Sequence, residues 1–205
     1  MSINNQDFIK HLSAITSDMI TDKERLAVYE TDGLTAKKQL PGVVVIPDTI
    51  EQVQAIAALC QSYQVPLVAR GAGTGLSGGA MPHHEGVLLV MARFNQILDV
   101  DTSMRTATVQ PGVTNLAISE AVSNLGLYYA PDPSSQIACT IGGNVAENSG
   151  GVHCLKYGLT VHNVKQLKVV LPGGELMVVG GKGYDTPGYD LLGLMHGSEG
   201  MLGIV

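Results

Sequence analysis

A run of glycines after a short apolar segment contains the residues in this chain best suited to chemistry. Five of the nine residues from 71 to 79 are glycine. Glycine adopts positive φ values readily and lets the main chain approach a ligand with no Cβ atom between them. Successive exposed N–H groups in such a loop form a concave surface that binds anions. The residues predicted to form a cradle for a pyrophosphate are Arg70, Gly71, Ala72, Gly73, Thr74, Gly75 and Ser77.

The same glycines allow three other interpretations. Gly73, Gly75 and Gly78 have the G-x-G-x-x-G spacing of a nicotinamide-dinucleotide fingerprint, and Asp99 follows about twenty residues later. That fingerprint requires a helix that opens within the loop, whereas glycine and proline dominate the residues that follow. A P-loop requires a lysine after Gly78, and glycine stands there instead. The third alternative is a glycine-rich surface turn that binds nothing.

A second set of candidates lies in the other half of the chain. Asp132 and Ser134 stand in a proline-rich loop, where they could contact a ligand or bond to their own backbone, as in ordinary turns. Thr140 is predicted to cap a short helix whose first amides could face an anion. Asn144 and Asn148 are four residues apart, which predicts one helical face. The candidate contacts of this half are Pro131, Asp132, Ser134, Gly142, Gly143, Asn144, Asn148, Gly150, Gly151 and Ile204.

Secondary structure must position these candidates. Two helices are predicted at 5–14 and 22–30, and together they make residues 1–40 an N-terminal helical segment. Buried strands at 42–47, 67–69 and 87–91 and an amphipathic helix at 50–63 predict a small parallel or mixed sheet. The elements predicted after it are strands at 97–100 and 106–110, a helix at 113–123, a hairpin of 161–171 with 176–179, and the start of a strand at 202. This unfinished ending predicts that the chain is the front part of a longer protein.

Composition excludes several classes of partner. The formal net charge is −6 and the chain has few arginines, so no basic surface for nucleic acid can form. The N-terminus lacks the order of basic and apolar residues found in a signal peptide, and no apolar stretch is long enough to span a bilayer. We therefore expect no nucleic-acid partner, no transmembrane segment and a cytoplasmic location.

Cysteines and histidines show no metal-ligand spacing. The three cysteines form no C-x-x-C pair, and an odd count without an export signal favours a reducing compartment. Cys139 and Cys154 are predicted to be buried thiols. His83 and His84 are neighbours in a loop, where adjacent side chains rarely converge on one ion. We expect no metal site in this chain.

Five motifs in order resemble the FAD-linked oxidase family, whose flavin-binding domain is described as PCMH-type or vanillyl-alcohol-oxidase-like. The motifs are 70–79 (RGAGTGLSGG), 131–135 (PDPSS), 141–148 (IGGNVAEN), 150–151 with 156–158 (GG and KYG), and 197–203 (GSEGMLG). Within that family they most resemble the branch of D-lactate and D-2-hydroxyglutarate dehydrogenases and the FAD-binding D subunits of bacterial glycolate oxidases.

The resemblance implies an α+β fold of two lobes with FAD held between them. Lobe one, at about 41–100, is expected to contain the small parallel or mixed sheet, and lobe two, at about 101–205, an antiparallel sheet with helices. The resemblance also implies a C-terminal substrate domain, with metal-binding histidines, that this chain lacks. It identifies no catalytic residue among those present.

The resemblance gives the candidate residues specific roles. The loop of residues 70–79 is expected to wrap the FAD pyrophosphate, and the flavin to be noncovalent because that loop contains neither His nor Cys. For Arg70 we keep two roles open, a phosphate contact and a structural salt bridge. Asn144 either contacts the cofactor or serves the fold, and Ile204 packs either on the adenine side or in the core.

The function that the resemblance implies is oxidation of a small 2-hydroxy acid, of the glycolate or D-lactate type, to the 2-oxo acid. Partner subunits are expected to carry the electrons onward and could associate the protein with a membrane. Two alternatives stay open. One is a flavin-binding fragment that is inactive alone, and the other is a reductase of the same fold that resembles the enolpyruvyl-glucosamine reductase of cell-wall synthesis.

Overall fold

The computed structural model describes residues 6–183 and 188–205. Its helices are α1 (Gln6–Ile15), α2 (Lys23–Leu26), α3 (Ile50–Tyr63), α4 (Asn115–Val122), α5 (Ile141–Glu147), α6 (Cys154–Tyr157), α7 (Thr160–Asn163) and α8 (Leu191–Met195). Its strands are β1 (Met19–Ile20), β2 (Val43–Val45), β3 (Leu67–Arg70), β4 (Val87–Val90), β5 (Ile97–Asp101), β6 (Thr106–Val109), β7 (Gln166–Val170) and β8 (Leu176–Gly180).

A four-stranded mixed sheet organises the first half of the chain. The strand order is β1-β2-β4-β3; β4 is parallel to both of its neighbours, and β1 is antiparallel to β2. Every residue of β2 and β4 is buried, which explains why their sequences are apolar without alternation. The small parallel or mixed sheet predicted from the sequence is confirmed.

Helix α3 covers one face of this sheet. Its first turn is capped by the Thr49 hydroxyl, which accepts a hydrogen bond from the Gln52 amide at 3.3 Å. It ends at Gln64, which adopts a left-handed conformation with φ of 54°. The buried residues of α3 share one hydrophobic core with Phe8 and Leu12 of α1. The helix therefore fixes the connection from β2 to β3 and so the start of the glycine-rich segment.

Two antiparallel hairpins form the sheets of the second half. Strand β5 pairs with β6, and β7 pairs with β8. Val170 at the end of β7 forms an isolated bridge with Ile204, and both side chains lie in the core beneath α3. The two halves are therefore packed on each other. A lobe boundary near residue 100 would fall within β5, and the division into lobes stays a proposal.

Several short elements differ from the sequence prediction. Residues 161–163 were expected in a strand but lie in α7, where the Thr160 hydroxyl donates a hydrogen bond to the Ser149 carbonyl at 2.7 Å. Residues 22–30 form α2 and a 3-10 turn instead of one helix. Helices α6, α7 and α8 have four or five residues each, too few for an apolar period to show. No helix within the described ranges is long and apolar enough to cross a membrane.

One cysteine prediction is wrong. Cys139 is buried as expected, but Cys154 is exposed at the start of α6. Five consecutive residues of this surface segment, 152–156, are exposed, so the fold gives the Cys154 thiol no apolar pocket. Cys60 is buried in the core, and burial raises the pKa of its thiol to about 12.

These differences in exposure predict the thiol chemistry of the native chain. Cys154 should react with a thiol reagent such as DTNB, while Cys60 and Cys139 should react only after denaturation, because the reagent cannot reach a buried sulfur atom. The measurement is the number of thiols titrated before and after adding guanidinium. Cys154→Ser should abolish the fast reaction. Fast modification in that variant would contradict the burial of the other two.

Candidate functional site

The glycine loop, residues 71–79, follows β3 directly and contains no helix. The chain continues in irregular structure until it enters β4. A nicotinamide-type fingerprint needs the N-terminus of a helix in this position. The structure therefore rules out that interpretation of the glycine spacing.

The amide groups of the glycine loop are its main chemical feature. None of the backbone N–H groups of residues 71–79 donates a hydrogen bond to a carbonyl oxygen of the described residues. Most amides of a folded chain are paired, so a row of unpaired ones is unusual. Such a row can bind an anion, so the glycine loop stays the candidate for the anion site that the sequence predicts.

Arg70 lies beneath the loop, and its side chain bonds to backbone. Its Nη1 donates to the Thr31 carbonyl at 2.8 Å and to the Ala80 carbonyl at 3.3 Å. The guanidinium carbon lies 5.9 Å from the centre of the Tyr29 ring. Burial lowers the pKa of Arg70, and the negative charge of Asp32 opposes that effect. These contacts favour a structural role for Arg70 over a phosphate contact.

A cavity of about 320 Å³ lies beside the glycine loop. Gly71 and Ala72 line it together with Thr140, which lies just before α5. A Cβ atom on Gly71 would collide with the Thr140 hydroxyl, so the two glycine-rich segments meet here. The other lining residues are Ala92, Asn95, Gly112, Val113, Thr114 and Ala117. The two candidate segments, far apart in sequence, therefore converge on one cavity.

The first amides of α5 are already occupied. The Gly143 amide donates to the Thr140 hydroxyl at 3.4 Å, as the predicted cap requires. The Gly142 amide donates to the Pro111 carbonyl at 2.9 Å. A Cβ on Gly142 would lie 2.7 Å from Pro111 Cβ, so close packing explains this glycine. The amides of these two glycines therefore face partners within the chain.

The two asparagines do not share a helical face, contrary to the sequence prediction. Asn144 is buried, and its Oδ1 accepts a hydrogen bond from Asn115 Nδ2 at 2.8 Å. Asn148 is the residue that ends α5, with φ of 50°, and its Oδ1 accepts from the Val161 amide at 3.0 Å. Asparagine tolerates the left-handed conformation at this position. Both contacts favour the structural role for these residues.

Asp132 joins the proline-rich loop to the turn at Gly150 and Gly151. Its Oδ2 lies 2.6 Å from Nδ1 of His153. Burial acts to raise the pKa of Asp132, but the hydrogen bonds from His153 outweigh it, and the pKa is lowered. A Cβ on Gly151 would collide with Asp132, so glycine is required there.

The remaining candidates of the second half lie apart from the cavity. Pro131 is buried, and its carbonyl accepts a hydrogen bond from the Asn115 side chain at 3.0 Å. Ser134 is exposed. Ile204 lies in the core, which favours the packing role for its side chain. Within residues 6–183 and 188–205, no group of three or more His, Cys, Asp or Glu side chains is placed to hold a metal ion.

Two carboxylates beside the glycine loop were not identified from the sequence. Glu147 Oε1 would lie 2.8 Å from a Cβ on Gly75, and Glu199 Oε2 would lie 3.4 Å from a Cβ on Gly79. Burial and the nearby charge of Glu199 raise the pKa of Glu147, while a hydrogen bond with Ser77 opposes the rise. Negative charge therefore borders a loop built to attract an anion. No sequence spacing connects these residues, and only the fold brings them together.

An α+β fold whose glycine loop carries unpaired amides at a cavity defines a nucleotide-cofactor domain. Residues 41–180 match a protein family described as an FAD binding domain. The chain belongs to this family.

Two individual proteins show the degree of sequence similarity within this family. The chain is 60% identical over 187 residues to glycolate oxidase subunit GlcD of Escherichia coli K12, and the matched region covers 91% of this chain and 38% of that protein. It is 41% identical over 169 residues to D-lactate dehydrogenase of Anaerostipes hadrus, and the matched region covers 82% of this chain and 35% of that protein. The chain thus spans less than two fifths of the length of these relatives.

Solved structures confirm the fold. An alkyldihydroxyacetonephosphate synthase matches with a TM-score of 0.82 at 24% identity, covering 98% of this chain and 40% of its own. Physcomitrella patens BBE-like 1 matches with a TM-score of 0.82 at 20% identity, covering 96% of this chain and 42% of its own. The α+β class expected from the sequence is correct.

The carboxylate beside the glycine loop generates a prediction about FAD affinity. Because the pKa of Glu147 is raised, its charge is lost at a higher pH than that of an ordinary glutamate. FAD affinity of the protein should therefore increase as the pH falls through that pKa. Glu147→Gln should tighten FAD binding about fivefold at pH 7, as expected for removing a Coulomb repulsion of ~1 kcal/mol in a water-like medium, and should flatten the pH dependence.

The measurement is the FAD dissociation constant from flavin fluorescence at pH 5 to 8. Glu120→Gln is the matched control, since Glu120 is an exposed glutamate near the end of α4. Equal dissociation constants for Glu147→Gln and the wild type across that range would contradict the prediction.

Proposed function

We propose that this chain forms the FAD-binding part of a flavoprotein that oxidises a small 2-hydroxy acid, of the glycolate or D-lactate type, to the 2-oxo acid. The observation that carries the proposal is the glycine loop, whose amides have no carbonyl acceptor among the described residues and which borders the cavity. The printed names of two relatives, a glycolate oxidase subunit and a D-lactate dehydrogenase, supply the substrate class. The division into residues 1–40, 41–100 and 101–205 belongs to the same proposal.

The backbone of the glycine loop would hold the pyrophosphate of FAD. Thr74 adds a hydroxyl donor, while the Ser77 side chain already bonds to Glu147. Gly75 lies beside the Glu147 carboxylate and has no Cβ between its backbone and a ligand, which fits a loop that must present bare backbone. The flavin, when bound, accepts the equivalent of a hydride from the substrate.

Residues of the second half would shape the rest of the site. Val113 and Ala117 give the cavity apolar walls, which exclude water from a bound cofactor. We propose that Pro131, Asp132, Ser134, Gly150 and Gly151 make further contacts with FAD. Gly142, Gly143, Asn144, Asn148 and Ile204 have partners within the chain, and we propose that they support the fold around the cofactor.

Recognition of the substrate carboxylate is assigned to a part of the protein beyond this chain. A carboxylate is best bound by an arginine fork. Arg70 is engaged with backbone carbonyls, and Arg93 pairs with Asp18 and Asp48. Arg25 and Arg105 are exposed, and neither lines the cavity. The arginines of this chain therefore leave the cavity without a carboxylate clamp.

Electron transfer beyond the flavin is also part of the proposal. The relative that shares 60% identity is named as a subunit of an oxidase. We propose that partner subunits accept the electrons from the flavin. We also propose a cytoplasmic location, with any membrane association provided by those partners.

We expect the flavin to be bound noncovalently. Residues 70–79 contain neither His nor Cys, the residue types through which a flavin is attached to protein in such a loop. Denaturing the FAD-loaded protein and filtering it should leave the yellow colour in the filtrate. Colour that stays with the polypeptide would contradict the expectation, and peptide mapping would then test His153 and Cys154, which lie beside the turn at Gly151.

We expect the 205-residue chain alone to show no turnover of 2-hydroxy acids. Hydride transfer needs the substrate carbon held close to the flavin, and the chain lacks a carboxylate clamp at the cavity. The test supplies FAD, glycolate or D-lactate and an artificial electron acceptor, and follows reduction of the acceptor. A longer protein that contains this region should reduce the acceptor. Turnover by the chain alone would assign the substrate site to residues 1–205, and no turnover by the longer protein would refute the proposed function.

A further inference from the structure

A short segment outside the range matched by the FAD-binding family packs against the glycine loop. Residues 31–34 precede residue 41, where that match begins. A Cβ on Gly33 would lie 2.5 Å from the Gly75 carbonyl oxygen and 2.7 Å from the Thr74 carbonyl oxygen. Leu34 lies on the same side, with Cδ2 at 3.5 Å from a Cβ on Gly78. The segment therefore covers one side of the loop, the side that carries carbonyl oxygens.

This contact determines where the loop amides point. A trans peptide unit is planar, with its N–H directed opposite to its C=O. Since the carbonyls of Thr74 and Gly75 face Gly33, the N–H groups that follow them, on Gly75 and Leu76, point away from the segment. The segment thus orients part of the anion-binding surface without touching it.

Arg70 fastens the segment to both ends of the loop. It stands at the end of β3, immediately before the loop, and its Nη1 donates to Thr31 in the segment and to Ala80 just after the loop. A Cβ on Gly73 would collide with its guanidinium, so this group supports the middle of the loop from below. One buried side chain therefore links the segment with the start, the middle and the end of the loop.

Asp32 fixes the shape of the segment itself. It is buried, with a relative exposure of 4%. Its Oδ1 accepts a hydrogen bond from the Leu34 amide at 2.9 Å, which closes a turn with Gly33 at its apex. Its Oδ2 has no hydrogen-bond partner among the described residues, and its charge acts on Arg70. The buried carboxylate therefore supports the turn and helps to compensate the buried guanidinium.

We propose that residues 31–34 are a clamp that pre-forms the pyrophosphate cradle, with Asp32, Gly33 and Arg70 as positioning residues for the cofactor. The clamp holds the amides in their binding orientation before FAD arrives, so the cost of ordering the loop is met during folding. Pre-ordering of this kind raises affinity because less freedom is lost on binding. The inference rests on the proposed function for the identity of the ligand.

Gly33→Ala tests the clamp with little change of chemistry. No positive φ is recorded for Gly33, so alanine meets no backbone strain, and its methyl group acts only through the carbonyls of Thr74 and Gly75. Those are backbone atoms, and the loop must move to admit the methyl group. Arg70→Lys is the second variant, because lysine keeps the charge but lacks the planar fork. Lys37→Ala, at an exposed position three residues after the clamp, is the control.

The first readout needs no flavin. In the 205-residue chain, 15N relaxation should give the amides of residues 71–79 order parameters typical of rigid backbone, about 0.85. Gly33→Ala and Arg70→Lys should lower them below about 0.6, while Lys37→Ala leaves them unchanged. A loop that is already flexible in the wild type, or equally rigid in all variants, would overturn the clamp.

The second readout is FAD affinity of the protein. Gly33→Ala and Arg70→Lys should weaken binding at least tenfold, with the melting temperature of the flavin-free protein nearly unchanged for Gly33→Ala. Wild-type affinity in both variants would overturn the inference. Should the wild-type protein bind no flavin, the proposed function fails, but the relaxation data still decide whether the clamp orders the loop. Should Gly33→Ala fail to fold, the order parameters and the FAD affinity of Arg70→Lys decide whether the clamp orders the loop.

Discussion

The orientation of a few peptide units in the glycine loop is the constraint on which the rest of the structure depends. An anion-binding surface made of amides exists only if the carbonyl oxygens of the same peptide units face elsewhere. In this fold the carbonyls of Thr74 and Gly75 face Gly33. Arg70 donates hydrogen bonds to the carbonyls of Thr31 and Ala80. The chain thus separates donors from acceptors on the two sides of the loop. Such a separation needs packing on the acceptor side, which residues 31–34, between β1 and β2, provide.

The position of the loop follows from two further contacts. Helix α3 and the buried strands fix where β3 ends, and the loop begins at that point. Thr140 meets Gly71 from the other half of the chain and also caps α5, so one residue both joins the two glycine-rich segments and starts the helix. The first amides of α5 donate hydrogen bonds to acceptors within the chain and are therefore not available to a ligand. Of the two glycine-rich segments, the first therefore offers the unpaired donors and the second forms a wall.

Sequence reasoning predicted the parts of the fold that have a long or uniform pattern. The buried strands, the amphipathic helix α3 and the strands β5 and β6 were predicted close to their observed bounds, whereas the strand expected from residue 161 begins at Gln166. It failed where structure depends on contacts distant in sequence: α7 is too short to show a period, and Cys154 is exposed because its segment lies on the surface. The glycine loop, predicted from the sequence as the anion site, stays a prediction. The carboxylate of Glu147 could not have been found, since only the fold brings it to Gly75.

A cradle of amides has a physical consequence that a cradle of cations would not have. Backbone dipoles are neutral, so they can be oriented during folding without burying charge, whereas a lysine or arginine in the same place would have to be desolvated. This chain carries a net charge of −6 and keeps its buried guanidinium on the carbonyl side of the loop, away from direct contact with the proposed ligand. Affinity then depends on backbone geometry, and nearby carboxylates such as Glu147 and Glu199 can modulate it. A loop of this kind tolerates surrounding negative charge because the orientation of its dipoles is fixed by packing and by the hydrogen bonds of Arg70 on the carbonyl side.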